Sequence, residues 1–161
     1  MNAYTAGELR ELVKYPEDTA GGMMTTDYVW IYPHRTTVAT IRKIREIAPV
    51  SEFIYYLYVL DKSDHVLGVL SLRTLLLALP TAFIERIMNT DLVTVAADTP
   101  AVDVASTIAK YDLLAVPVVD DAGKMLGIVT VDDAIDAIMP ADIAKKLPHM
   151  RARHRLHTTP P

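Results

Sequence analysis

The chain states one pattern twice. The stretch Met24-Thr-Thr-Asp-Tyr-Val-Trp-Ile31 aligns with Met88-Asn-Thr-Asp-Leu-Val-Thr-Val95 at an offset of 64, and Val38, Ile41 and Ile44 then fall opposite Val102, Ala105 and Ile108. Farther on, Leu60-Asp-Lys-Ser-Asp-His-Val-Leu-Gly-Val-Leu-Ser71 aligns with Val119-Asp-Asp-Ala-Gly-Lys-Met-Leu-Gly-Ile-Val-Thr130 at an offset of 59, so copy one carries five extra residues near Ala48 to Phe53. Self-similarity at this period means two copies of one supersecondary unit that share a core.

Each copy reads as β-α-β-β-α, an α+β unit of about 60 residues. A short strand (Val29 to Ile31; Val93 to Val95) leads to a helix begun at Thr36 or at Thr99-Pro100, with apolar residues at i, i+3 and i+6. Thr99 suits the N-cap and Pro100 the first helical position, where its missing donor costs nothing. A strand (Ile54 to Leu60; Ala115 to Val119), a tight turn, another strand (Val66 to Leu70; Met125 to Val129) and a closing helix follow. The turns carry Asp64 and Gly123, both residue types that accept positive φ. A sheet this small covers one face with helices and leaves the other bare, so the copies gain most by packing together.

The 161 residues, 51% apolar and 22% charged, suffice for that core. No apolar run approaches the ~18 to 20 residues of a membrane span, and Met1-Asn-Ala-Tyr-Thr-Ala-Gly7 lacks the basic and apolar regions of a signal peptide. The expectation is a cytoplasmic location. The absence of cysteine agrees with that and removes disulfides, thiolate metal sites and a cysteine nucleophile. The chain holds no P-loop, no Gly-x-Gly-x-x-Gly after a strand and no His-Glu-x-x-His, so no enzyme activity is expected. The net charge of −4 is unevenly spread: Ala141 to Pro161 carry five Lys or Arg against Asp142, leaving −8 on the first 140 residues. An acidic body argues against nucleic acid and favours cations, and the Pro-rich basic tail reads as a solvated, partly disordered segment.

A β-α-β-β-α unit that ends in Gly-φ-φ-Ser/Thr-x-x-Asp, with φ an apolar residue, and occurs twice resembles a cystathionine-β-synthase (CBS) domain pair, or Bateman module. The resemblance covers residues from about 22 to 139. It implies a pseudo-twofold module with a cleft between the repeats, often holding an adenine nucleotide such as ATP or AMP, and frequent homodimerisation. Tyr15-Pro-Glu-Asp-Thr-Ala-Gly-Gly-Met-Met-Thr25, with Ile54-Tyr-Tyr-Leu-Tyr-Val-Leu-Asp61 and Tyr111-Asp-Leu-Leu-Ala-Val-Pro-Val-Val-Asp120, is more narrowly similar to the cytosolic region of MgtE-type magnesium transporters. That implies an upstream helical domain, a transmembrane transport domain and the soluble side of a plasma-membrane protein. Pro16 would end a helix from Ala6 to Lys14, and Gly21-Gly22 would give a tight path into the first repeat.

In the CBS family the Ser or Thr after the last strand and the Asp three residues on contact phosphate and ribose, since a helix N-terminus offers free amides and a carboxylate accepts two hydroxyls. Copy two keeps Thr130 and Asp133; copy one has Ser71 but Thr74 in place of the acid, with Tyr56 and Arg73 as the implied stacking and phosphate partners. Thr130 is equally a good N-cap, and Asp132 and Asp133 suit the helix dipole without a ligand. Magnesium takes sparse oxygen ligands and keeps water. Asp132 with Asp136 and Asp133 with Asp136, each pair spaced to converge on one helix face, and Asp112 near a helix end are the candidate ligands, with Glu17, Asp18 and Asp98 as further acids. The resemblance implies acidic domains that repel one another when magnesium is scarce and close when it binds.

The organisation that follows is an N-terminal helix and linker over 1–21, repeat one over 22–80, repeat two over 81–140 and the basic tail over 141–161. The function expected is a regulatory module of a magnesium transporter, sensing Mg2+ and an adenine nucleotide through dimer rearrangement. The basic tail, where that family continues into an acidic helix, favours the alternative of a stand-alone adenine-nucleotide-binding regulator. A structural dimerisation module is the third reading.

Overall fold

The computed structural model describes residues 15–49, 51 and 53–140; the expected helix from Ala6 to Lys14 and the basic tail lie outside them. The elements run α1 (Ala20–Met23), β1 (Val29–Ile31), α2 (Thr37–Ile47), β2 (Tyr56–Leu60), β3 (Val66–Ser71), α3 (Leu72–Leu77), α4 (Ile84–Ile87), β4 (Val95–Ala96), α5 (Ala101–Lys110), β5 (Ala115–Val119), β6 (Met125–Thr130) and α6 (Val131–Ile138). They form two three-stranded sheets, β1-β2-β3 and β4-β5-β6. In each, the first pair is parallel and the second antiparallel. The expected α+β tandem is thus the architecture.

Alternation along the strands assigns each side chain its layer. Leu57 and Val59 pack with Ile44, Leu75 and Ile84 beneath the helices of repeat one. Val116, Val118 and Val129 do the same with Val104, Ile108 and Ala134 in repeat two. Tyr58, Leu60, Ala115, Met125 and Ile128 form a third cluster that joins the two sheets. The hairpins match in detail. Asp61 Oδ1 accepts from the backbone amides of Ser63 and His65 at 2.8 and 2.9 Å, and Asp120 Oδ1 from those of Ala122 and Lys124, both at 2.9 Å. Asp64 (φ 67°) and Gly123 (φ 82°) take the left-handed turn positions.

The repeats are tied by an exchange of their lead-in segments. Thr25 pairs with Ile128 of the other repeat (Thr25 N to Ile128 O 2.9 Å, Ile128 N to Thr25 O 3.0 Å). Asn89 pairs reciprocally with Val69 (2.8 and 2.9 Å). The methionine before each pairing residue lies on a glycine of the other sheet. A Cβ built on Gly127 would stand 2.8 Å from Thr25 O and 3.0 Å from Met24 Sδ, and one on Gly68 2.7 Å from Met88 Sδ. These strands therefore need glycine for close approach and not for φ.

Several expected boundaries move. β4 begins at Val95 and not at Val93, because the chain up to Asn89 is committed to Val69 and Leu92 turns back to bond Thr90 O. Pro100, not Thr99, takes the N-cap position of α5, without a side-chain cap: Ala20 N bonds Thr99 O at 2.8 Å and Ala101 N bonds Asp18 O at 2.7 Å, and Pro100 is extended. Residues 54 and 55 precede β2, which starts at Tyr56. Gly21-Gly22 lie inside the helical turn α1, where Cβ atoms would strike the Tyr15 ring and Pro16 O. The buried stripe of α2 and α5 is Thr37, Thr40, Ile44 and Ala101, Val104, Ile108, while Val38 and Val102 are exposed. The buried threonines are satisfied, Thr40 Oγ1 donating to Thr36 O at 2.8 Å and Thr37 Oγ1 to Ala82 O at 3.2 Å.

Gly127→Ala pushes a methyl against the backbone oxygen of Thr25, which cannot swing aside as a methionine tip can. It should lower stability by about 1 to 3 kcal/mol in urea unfolding, the usual cost of overpacking.

Candidate functional site

The bare faces of the two sheets do not close completely. Between them lies a cavity of about 260 Å³ with walls from both repeats. Tyr56, Tyr58, Val69 and Leu70 line it from one sheet, Ala115 and Pro117 from the other, and Asn89, Asp91 and Leu92 from the connecting segment. Tyr56 and Tyr58 reach it together because period-two alternation puts them on the face opposite Leu57 and Val59. Ser71 and Thr74 stand at the start of α3.

The polar groups are few. Tyr56 Oη accepts from the Leu114 amide at 3.2 Å, which fixes the ring against the second repeat. Ser71 Oγ and Thr74 Oγ1 are 2.9 Å apart, and the Thr74 amide donates to Ser71 Oγ at 3.1 Å. The Asn89 side-chain oxygen accepts from the Asp91 amide at 2.9 Å. Tyr58 is fully buried, and its hydroxyl has no hydrogen-bond partner among the described residues. Burial first, and the neighbouring Tyr56 second, push its phenol above the usual value, so it stays protonated at neutral pH. Among the described residues no lysine or arginine lines the cavity, and Asp91 is the one carboxylate that does.

Of the residues expected to hold a nucleotide, Tyr56 and Ser71 come together in this cavity. Arg73 stands exposed on the first turn of α3, outside the lining. Thr130 and Asp133 occupy the pseudo-equivalent position at the start of α6, also outside it. There the Asp133 amide donates to Thr130 Oγ1 at 3.3 Å, so the capping role read from the sequence is realised. Sequence reasoning missed Tyr58, Asn89, Asp91 and Pro117. The alternating tyrosines were the available signal; the other three become neighbours only through the packing of the repeats.

Of the candidate magnesium ligands, Asp132 and Asp133 lie in the first turn of α6 and Asp136 one turn on. Asp112 follows α5 in the left-handed region at φ 52°. Among the described residues no three carboxylate or histidine side chains gather in a geometry that would hold a metal ion. Nor is any helix there long and apolar enough to cross a membrane.

The CBS domain family matches the chain twice, at residues 20–81 and 84–140. The magnesium transporter MgtE of Thermus thermophilus is 44% identical over 138 residues, 86% of this chain and 31% of that protein. The MgtE of Bacillus subtilis is 40% identical over 139 residues, again 86% and 31%. The chain thus spans about a third of the length of these relatives (31%). Among solved structures, the cytosolic domain of the Mg2+ channel MgtE in complex with ATP superposes with a TM-score of 0.80 at 43% identity, covering 85% of this chain and 55% of that one. The soluble part of a magnesium transporter gives 0.81 at 42%, covering 86% and 54%.

Thr130→Ala removes the acceptor that caps α6. It should cost about 0.5 to 2 kcal/mol in urea unfolding with no ligand present.

Proposed function

Because the chain belongs to the CBS domain family, we propose that it is the regulatory module of an MgtE-type magnesium transporter, one that senses magnesium and an adenine nucleotide. The observation that carries this is the cavity between the repeats, lined by Tyr56, Tyr58 and Ser71, in a fold 43% identical to one solved with ATP. In this reading the nucleoside occupies the mostly apolar cavity against Tyr56. The phosphates extend past Ser71 to Arg73, since the described residues of the lining offer no cation. Thr130 and Asp133 would serve the pseudo-equivalent cleft.

Magnesium fits by the chemistry of its donors. Asp132, Asp133, Asp136 and Asp112 supply hard oxygens on an acidic body, yet the described residues gather no complete site. We assign these acids to sites completed by other parts of the parent protein or by a second copy. Bound there, the ion offsets repulsion between acidic surfaces and biases the module toward a compact state, which requires different affinities in the two states. A homodimer is supported by Leu76, Leu77 and Leu79, which expose 62, 75 and 73% of their surface side by side.

The test is calorimetric titration with magnesium, with and without ATP. Saturable magnesium binding in the absence of ATP supports the transporter sensor; heat only with ATP moves the assignment to a stand-alone nucleotide regulator. For the site, Arg73→Ala should weaken ATP binding about tenfold, the lower range for a charged hydrogen bond. Asp133→Asn should leave ATP in the first cleft unchanged. Thr74→Asp restores the carboxylate of the second repeat and should tighten ATP relative to the 2′,3′-dideoxy nucleotide by about tenfold, as a hydrogen bond from a diol to a charged group would; equal gains for both sugars would remove the ribose role.

A further inference from the structure

Among the described residues, the Tyr58 hydroxyl is the one buried side-chain polar atom without a hydrogen-bond partner, and Tyr58 lines the cavity. It is fully buried on β2, flanked by β1 and β3, and its hydroxyl finds no partner among the described residues. The Tyr28 ring meets it edge-on, with centroids 6.1 Å apart, and holds the ring in place. A buried hydroxyl without a partner is penalised relative to the phenylalanine that would fill the same volume. The duplication provides an internal control. At the offset of 59, the counterpart of Tyr58 is Pro117, which is also buried, also lines the cavity and has no hydrogen-bonding side chain. Both positions pair in the same register, Tyr58 with Val69 and Pro117 with Ile128. The strand pairing is therefore made without a hydroxyl at this point.

Tyr58, Val69, Ala115 and Pro117 give the cavity apolar surface, while Ser71, Thr74, Asn89 and Asp91 bring polar atoms. A nucleoside calls for both, apolar surface for its flat base and polar atoms for its hydroxylated sugar. We infer that the Tyr58 hydroxyl is a specificity-determining group that hydrogen-bonds the edge of the bound purine base. This rests on the reading of the cavity as a nucleotide site. A phenol both donates and accepts, so it pairs with a ring nitrogen by donating its proton.

The experiment compares the full chain with Tyr58→Phe by calorimetry against ATP, adenosine and the 1-deaza, 3-deaza and 7-deaza adenosines, alongside ligand-free thermal unfolding. Tyr58→Phe should bind adenosine about tenfold more weakly, the loss of one hydrogen bond, while its ligand-free unfolding temperature is unchanged or raised. One deaza analogue should lose the same factor on the wild-type chain and nothing further on Tyr58→Phe, as a shared interaction requires. Wild-type affinity in Tyr58→Phe, or no penalty for any deaza analogue on the wild-type chain, overturns the inference; the analogue series decides even if the variant does not fold. A lowered ligand-free unfolding temperature with unchanged affinity also overturns it, by showing that the hydroxyl serves the fold. If the wild-type chain binds neither ATP nor adenosine, the nucleotide reading itself falls.

Discussion

The structure depends on the exchange of lead-in segments between its repeats. Thr25 bonds to Ile128 and Asn89 to Val69, so each three-stranded sheet gains pairing from the other repeat's chain. Neither unit is complete alone: Met24 belongs to the core of repeat two, and Met88 packs against that of repeat one. Backbone hydrogen bonds placed this way fix registry as well as contact, since a slip of one residue would turn every strand face over. Gly68 and Gly127 are the condition for the exchange, because a side chain at either point would fill the space the partner segment occupies.

The cavity is a consequence of that registry. With the sheets held at their edges by the exchanged segments and at the hairpins by the pairing of His65 with Lys124, the bare faces meet along one cluster and part beside it. Lining residues come from both repeats and from the connection between them, so any ligand there is sensitive to how the repeats sit. That is the property a regulatory module needs, since a ligand shifts an equilibrium only by its different affinity for two arrangements.

Duplication makes the departures from symmetry informative. Positions that both copies keep, such as the glycines, the capping Ser71 and Thr130 and the hairpin acids Asp61 and Asp120, are those the fold uses in both places. Positions where they differ answer to something else. Tyr58 against Pro117 changes the chemistry of the cavity without changing the strand that carries it. Thr74 against Asp133 exchanges a carboxylate for a hydroxyl that turns to Ser71.

The sequence by itself determined the tandem, the order of elements, the turn positions at Asp64 and Gly123 and the capping residues Thr36 and Thr130, because each follows from local periodicity, allowed φ or a side chain within three residues of its partner. Tertiary structure decided the rest. The start of β4, the extended Pro100 at the start of α5 and the turn of helix at Gly21-Gly22 are set by residues far along the chain, so local preference misplaced them. The same holds for the site. Tyr56 and Ser71 were legible as members of a pattern, whereas Asn89, Asp91 and Pro117 carry no local mark and meet only when the repeats interlock. Sequence could read what each residue offers; only the packing of two sheets decided which offers face one another.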